Sequence, residues 1–403
     1  MAHGATRRLS RSAFPSGPAQ GLGCPGRCTL TTITSVTIDV LGIALVGCGS
    51  NGQIHADGLA KLVADGEIRA VAAVDPSPGA LDSAHRNCAF EVRGADLALA
   101  VDNPDVDAVL VCGPTASHAA AIKAAVASGK AIMSEKPLAP AFATVESLVD
   151  LVVGSGVVGQ VGFQSRFNPL FTHLKRLVDD GKLGAPLGYM LREDQFWPTG
   201  SVVAGHSSWR SDPVLAGGGA LLEHTVHGCD LLAWIFGPAA TVCARTRSLF
   251  GYGVEDIATL QVTHQNEVVG TVTTAFNGVE GREERRLEVF FEQATIEITG
   301  DFVIGAPEDA FIIHRPRAAP ERPDLENLRR ELFTALGVAR DDLIFYQYVA
   351  DRDFVHAVRD GRPASPDFTD ALRAHCIVEA AYRSAAASGA LTAVPEGLPS
   401  RLD

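Results

Sequence analysis

The segment Gly47-Cys48-Gly49-Ser50-Asn51-Gly52 constrains this chain more than any other feature. It is a GxGxxG motif set directly behind an apolar run, Leu41-Gly42-Ile43-Ala44-Leu45-Val46. A helical pattern from Gln53 to Ala64 follows. A second apolar run, Ile68 to Val74, then ends in Asp75, about 20 residues past the last glycine, as a dinucleotide fingerprint requires. Each glycine has a physical task. Gly47 permits a tight turn, Gly49 lets the backbone approach a pyrophosphate, and Gly52 allows the helix to pack closely on the sheet. The N–H groups at the helix start, at Ser50 and Asn51, then meet phosphate charge. A plain glycine-rich loop is the competing reading. The order strand, loop, helix, strand, acid argues against it.

From about 41 to 163 apolar strands alternate with helical patterns, which predicts a doubly wound parallel sheet. One such strand, Asp107 to Cys112, turns at Gly113-Pro114-Thr115 into a helix from Ser117 to Ser128. Another, Lys130 to Ser134, closes on Glu135-Lys136-Pro137. Beyond a helix over Pro169 to Asp180 the character changes. Strand-like runs separated by short turns predict a mainly antiparallel sheet, interrupted by one helix over Gly219 to Phe236. Helices return at about Leu343 to Arg359 and Thr369 to Ala387. The expected organisation is a Rossmann domain over residues 39–163 and an α/β domain over 164–403, whose last helices return toward the first.

Composition removes several function classes. The net charge of -13 argues against a nucleic-acid partner, which needs clustered Lys and Arg. No apolar run approaches the ~20 residues of a membrane span. The cysteines are scattered, mostly in apolar segments, as expected of reduced thiols in a cytoplasmic protein. Cys24 and Cys28 lack a second ligand pair, so no metal site is expected. Residues 1–38 carry Arg7, Arg8, Arg11 and Arg27 and no acid. They read as a disordered extension, or as residues from a start codon set too far upstream. A transit-like segment is the other reading.

Three motifs coincide in order: the GxGxxG, then Glu135-Lys136-Pro137-Leu138 after Gly129-Lys130, then Gly217-Gly218-Gly219-Ala220-Leu221-Leu222-Glu223-His224-Thr225-Val226-His227. Gly162 to Pro169, with Asn168, adds a fourth. Together they resemble the Gfo/Idh/MocA oxidoreductase family, whose members include glucose–fructose oxidoreductase and inositol dehydrogenase. The resemblance covers roughly 41 to 390. It implies a Rossmann domain followed by an α/β domain with a large open antiparallel sheet. It also implies NAD(P)-linked chemistry on a sugar, cyclitol or related polyol, and a homodimer or homotetramer. Pro114, His118 and Glu135 are expected near the cofactor, and Asn168, Trp209 and Arg210 near the substrate. Trp197 is a further aromatic of the same kind.

The chemistry can be read from the residues themselves. Lys136 follows a Rossmann strand, where the carboxyl ends of the strands face the ligand crevice. A lysine there can hold a substrate hydroxyl and stabilise the alkoxide that forms as hydride leaves. Glu223 and His227 lie four apart on a predicted helix and share a face. An acid beside His227 can orient it or raise its proton affinity, and His227 can then accept the hydroxyl proton. The family more often has aspartate where this chain has Glu223. His224 points elsewhere and reads as structural. Asp75 is followed by Pro76 and Ser77 with no adjacent base, so NAD is expected over NADP. The run Arg282 to Arg286 reads as a solvated strand edge. Two alternatives stay open: a glycosidase of this fold that oxidises its sugar transiently, and a non-enzymatic sensor of nucleotide and sugar.

Overall fold

The computed structural model describes residues 40–196, 208–277, 284–300 and 303–396. The N-terminal stretch and Trp197 lie outside the described residues. Among the described residues, six strands alternate with helices as the apolar pattern requires. They are β1 (Leu41–Val46), β2 (Ile68–Val74), β3 (Val92–Gly94), β4 (Ala108–Val111), β5 (Ala131–Ser134) and β6 (Gly159–Val161). All pair in parallel, in the order β3-β2-β1-β4-β5-β6. Between them run α1 (Ser50–Ala64), α2 (Pro78–Asn87), α3 (Ala98–Val101), α4 (Thr115–Ala127) and α5 (Phe142–Ser155). Strand order reverses between β1 and β4, and ligands of such sheets bind outside the carboxyl ends at that point. The carboxyl ends of β1, β4 and β5 carry Gly47, Gly113 and Glu135-Lys136.

Two glycines make that edge possible. Gly47 has φ +92°, and a Cβ built on it would lie 2.3 Å from the Gly113 amide nitrogen. A Cβ on Gly52 would lie 2.1 Å from the Gly47 carbonyl oxygen. Backbone meets backbone at both places, so no larger residue fits without moving β1 or α1.

After the η-turn at Gln164–Phe167, α6 (Pro169–Asp180) ends at Gly181 with φ 62°. A second sheet follows: β7 (Pro186–Phe196), β8 (Ala239–Arg247), β9 (Ile257–His264), β10 (Val269–Asn277), β11 (Glu284–Phe291), β12 (Thr295–Thr299), β13 (Ala310–His314) and β14 (Thr392–Ala393). Their order is β13-β12-β11-β7-β10-β9-β8-β14. The pairings are antiparallel except β7 with β10. Alternation sets the two faces. In β9, Ala258, Leu260 and Val262 are buried while Thr259 and Gln261 are exposed. The remaining helices are α7 (Pro213–Ala216), α8 (Val226–Phe236), α9 (Leu325–Ala335), α10 (Gln347–Asp360) and α11 (Phe368–Ala386). The apolar face of the sheet packs beneath α8 and α11. Gly270 leaves room for the Tyr189 ring, which stacks on Phe236 at 4.9 Å and reaches His264 at 3.0 Å.

The final helices return to the first sheet: α10 packs on α1, and α11 on α5. One apolar core therefore runs from β4 and α5 to β7 and β12. The described residues from 40 onward cluster as one compact unit. Three elements depart from expectation. The helix expected over Gly219 to Phe236 opens as a π-helical turn, Ala220–Thr225, before α8 begins. The short α7 lies where no element was expected. The helix α9 was hidden in sequence because its buried positions, Leu328 and Phe333, are diluted by Glu326, Arg329, Arg330 and Glu331.

A buried polar bridge joins α1, β5 and α10. His55 Nδ1 faces both Asp351 carboxylate oxygens at 2.9 Å, and its Nε2 lies 3.2 Å from Glu135 Oε1. Burial opposes a charged ring here, but the Asp351 carboxylate and Cys112 outweigh it and raise the His55 pKa well above 6.5. A group with a raised folded pKa stabilises fully below its unfolded value and loses that contribution as pH rises through the folded one. We expect His55→Gln to cost roughly 3–5 kcal/mol, measured by urea unfolding just below pH 6.5. The deficit should shrink at strongly alkaline pH. A deficit independent of pH would show that the bridge is not ionic.

Candidate active site

Lys136 leaves the end of β5 through a cis Lys136–Pro137 peptide bond. Its half-buried side chain crosses to the second half of the chain, where Nζ donates to the Glu223 backbone carbonyl at 2.6 Å. That carbonyl belongs to the π-helical turn. Glu223 Oε1 accepts a hydrogen bond from the Thr115 hydroxyl at 2.7 Å, and Oε2 faces Arg210 Nε at 3.5 Å. The Arg210 guanidinium lies over the Trp209 ring, 4.5 Å from its centroid. His227 follows in the first turn of α8, buried and edge-on to Phe163 at 5.7 Å. Lysine, glutamate, arginine and histidine thus gather outside the carboxyl ends of β4 and β5.

Burial dominates the electrostatics of this group. It lowers the Lys136 pKa below the usual lysine value; Glu223 and Glu135 oppose the shift, and Arg210 and Arg285 add to it. Burial also pushes His227 well below the ordinary histidine value, helped by the positive charge of Lys136 and Arg285 and by His224. His227 is therefore neutral at pH 7 and can take a proton. His224 is pushed the same way by burial, Arg285 and Lys136.

Several of the expected residues make contacts other than those expected. Glu223 and His227 were expected as an acid–imidazole pair. The structure instead gives the Glu223 carboxylate to Thr115 and Arg210, because the π-helical turn places it on the α4 side. The proton affinity of His227 is lowered, not raised. Asn168 was expected at the substrate. It is fully buried and its Oδ1 caps α6 on the Leu170 N–H at 2.9 Å. His118 was expected beside the cofactor. Its ring is buried between the Pro137 carbonyl at 2.9 Å and the Gly113 carbonyl at 2.7 Å, so it ties the two loops together. Glu135 is spent on His55 and on the Lys136 N–H at 3.3 Å. Pro114 caps the start of α4. Arg285 is no solvated edge residue: β11 lies between β7 and β12, and Arg285 Nε donates to Glu193 at 2.6 Å in the interior. Thr115, Arg285 and His55 were missed as site residues. A helix-start threonine, one arginine in a charged run and a helical histidine carry no local signature.

The opposite side of the crevice fits a dinucleotide. A Cβ on Gly49 would meet nothing within 4 Å, so the loop has an open face. No side chain caps the start of α1 and no acid sits in its first turn, which leaves its N–H groups, from Ser50 and Asn51 onward, for a phosphate. Asp75 accepts from the Cys48 N–H at 2.8 Å and the Ser77 N–H at 2.7 Å. A carboxylate has about four acceptor sites, so the fixed Asp75 keeps capacity for a ribose diol. Burial raises the Cys48 thiol to about 12 and the Cys88 thiol to about 11, which leaves both inert.

A crevice at a strand-order reversal, with an open glycine loop on one wall and a lysine and neutral histidine on the other, defines a nucleotide-dependent oxidoreductase site. Residues 41–163 match the family model described as oxidoreductase family, NAD-binding Rossmann fold, and residues 171–297 match the GFO/IDH/MocA C-terminal domain. The chain belongs to the Gfo/Idh/MocA family of NAD-binding oxidoreductases. It is 26% identical to an inositol 2-dehydrogenase of Acidothermus cellulolyticus, over 89% of this chain and 96% of that protein. It is 30% identical to a scyllo-inositol 2-dehydrogenase (NAD(+)) of Bacillus subtilis, over 49% of this chain and 54% of that protein. A solved levoglucosan dehydrogenase in complex with NADH has the same fold, with a TM-score of 0.77 at 22% identity, over 88% of this chain and 99% of that one. No helix among the described residues is long and apolar enough to cross a membrane.

Proposed function

We propose that this protein is an NAD-dependent dehydrogenase of a sugar, cyclitol or related polyol. NAD, when bound, supplies the hydride acceptor. The observation that carries the reading is the 2.6 Å contact from Lys136 Nζ to the Glu223 carbonyl, which fixes a cation in the crevice near enough for its charge to act on His227. One Lys136 proton is spent on that carbonyl, and an ammonium keeps two for a substrate hydroxyl. As that hydroxyl gains alkoxide character, a preorganised positive charge stabilises it. Neutral His227 accepts the proton. Arg210 and Trp209 present a flat cationic–aromatic edge suited to a polyol. The substrates for which the relatives are named, inositols and levoglucosan, lead the candidates. A panel of cyclitols, sugars and anhydrosugars with NAD and NADP, followed by nicotinamide absorbance, tests this. Turnover on none would sink it. Sugar cleavage without net NAD reduction would favour the transient-oxidation glycosidase, and binding without turnover the sensor.

Cofactor preference follows from Asp75. Its carboxylate repels a 2′-phosphate, so kcat/KM with NAD should exceed that with NADP by more than about tenfold. Asp75→Ala should narrow the ratio. Equal efficiency with both cofactors in the wild type would refute it. We also propose a homodimer or homotetramer closed over the outer sheet face, where Met190 is 53% and Val269 47% exposed. Light scattering that gives a monomer, or an oligomer indifferent to Met190→Asp, would reject it.

A further inference from the structure

The π-helical turn hangs from one acid that the reaction itself does not use. Glu255 precedes β9 and is nine-tenths buried. Its Oε2 accepts from the Gly219 N–H at 2.9 Å and its Oε1 from the Leu221 N–H at 3.0 Å. Its own backbone carbonyl accepts from the Ala220 N–H at 3.0 Å. Three successive N–H groups at the head of the turn therefore end on one residue. Tyr382, from α11, anchors the carboxylate by donating to Oε1 at 2.9 Å. The clamp is tight: a Cβ on Gly219 would lie 1.8 Å from the Glu255 carbonyl oxygen, and one on Gly218 would lie 2.1 Å from the Tyr382 hydroxyl.

A π-helical turn does not hold itself in register as an α-helix does. Something must fix its first turn, and four residues after Gly219 comes the Glu223 carbonyl that receives Lys136. We propose that Glu255 is a positioning residue for the proposed dehydrogenation: it clamps the Gly219–Leu221 N–H groups so that the Glu223 carbonyl meets Lys136 Nζ. Glutamine is the informative replacement. It preserves shape but turns one acceptor into an NH2, which faces either the Gly219 N–H or the Leu221 N–H and Tyr382 hydroxyl. Donor then opposes donor and the turn shifts.

The inference rests on the dehydrogenase reading, and the test separates the two. Glu255→Gln, Glu255→Asp, Lys136→Met and the Glu255→Gln/Lys136→Met double variant are compared. Glu255→Gln should lower kcat roughly 10–100-fold with KM for NAD little changed. Without its carbonyl acceptor the Lys136 ammonium is less favoured, so its titration, followed by NMR on carbon-labelled lysine without substrate, should move to lower pH. In the Lys136→Met background the Glu255→Gln loss should vanish, because the residue acts through Lys136. Glu255→Asp, which keeps both acceptors, should recover part of kcat. Equal losses in both backgrounds, or an unmoved Lys136 titration, would overturn the proposal. Lys136→Met with undiminished turnover would instead overturn the dehydrogenase reading. If Glu255→Gln fails to fold, the Tyr382→Phe variant carries the same titration test, with the smaller downward shift expected and no shift overturning the inference.

Discussion

Lys136→Met should cut turnover by at least about 10²–10³-fold while leaving the fold and NAD affinity nearly intact. Methionine keeps the length and the apolar stem, so packing between β5 and the π-helical turn survives. What is lost is one positive charge at the place where an alkoxide develops. The group is half-buried, which makes the charge more effective than in water and also lowers its pKa below 10.5. The sign of the pH dependence follows. The charged form does the work, so wild-type turnover should fall as pH rises through that lowered pKa. This alkaline limb should lie below the 10.5 of an ordinary lysine and be missing from the residual activity of Lys136→Met. Turnover near wild type, or an unchanged alkaline limb in the variant, would remove Lys136 from the chemistry.

How much of this was legible in sequence depends on how local each signal is. Much of the Rossmann half was legible, because β1, β2, β4 and β5 are mainly apolar runs that stop at or just before a glycine or a charge, whereas β3, Val92-Arg93-Gly94, carries no such signal. The helix α6 could be bounded from Pro169 to Asp180, since Asn168, Pro169 and Gly181 mark its ends. The same asparagine shows the limit. Asn168 was expected only at the substrate, and its cap on the Leu170 N–H emerges from the structure. Motifs singled out Lys136 and His227, but not the residues that surround them in the fold. The π-helical turn has no sequence period that sets it apart from α-helix, so the side to which Glu223 turns could not be read. Arg285 was misread because a charged run looks solvated until the strand carrying it is known to lie inside the sheet. Its partner, Glu193, is 92 residues away. His55, Glu135 and Asp351 likewise span most of the chain, and pattern alone cannot bring them together.

The second large effect is expected at His227. Replacement by asparagine keeps a polar side chain but no proton acceptor, and should lower turnover by about 10²–10⁴-fold. Burial, Lys136 and Arg285 keep the wild-type ring neutral down to a pH well below 6.5. Turnover should therefore be flat around neutrality and fall only on that acid limb. In His227→Asn the acid limb should disappear. The loss should also ease as pH rises, because the substrate hydroxyl then ionises without a base. That recovery must be read below the alkaline limb set by Lys136, since above it the two effects oppose each other. The comparison separates two roles that a single rate cannot. A proton acceptor predicts a deficit that shrinks with pH. A histidine that only shapes the pocket predicts a deficit constant across pH, and near-wild-type turnover would assign it neither role. Arg285 offers an internal check. Its charge helps to hold His227 neutral, so Arg285→Met should shift the wild-type acid limb to higher pH, toward the ordinary histidine value.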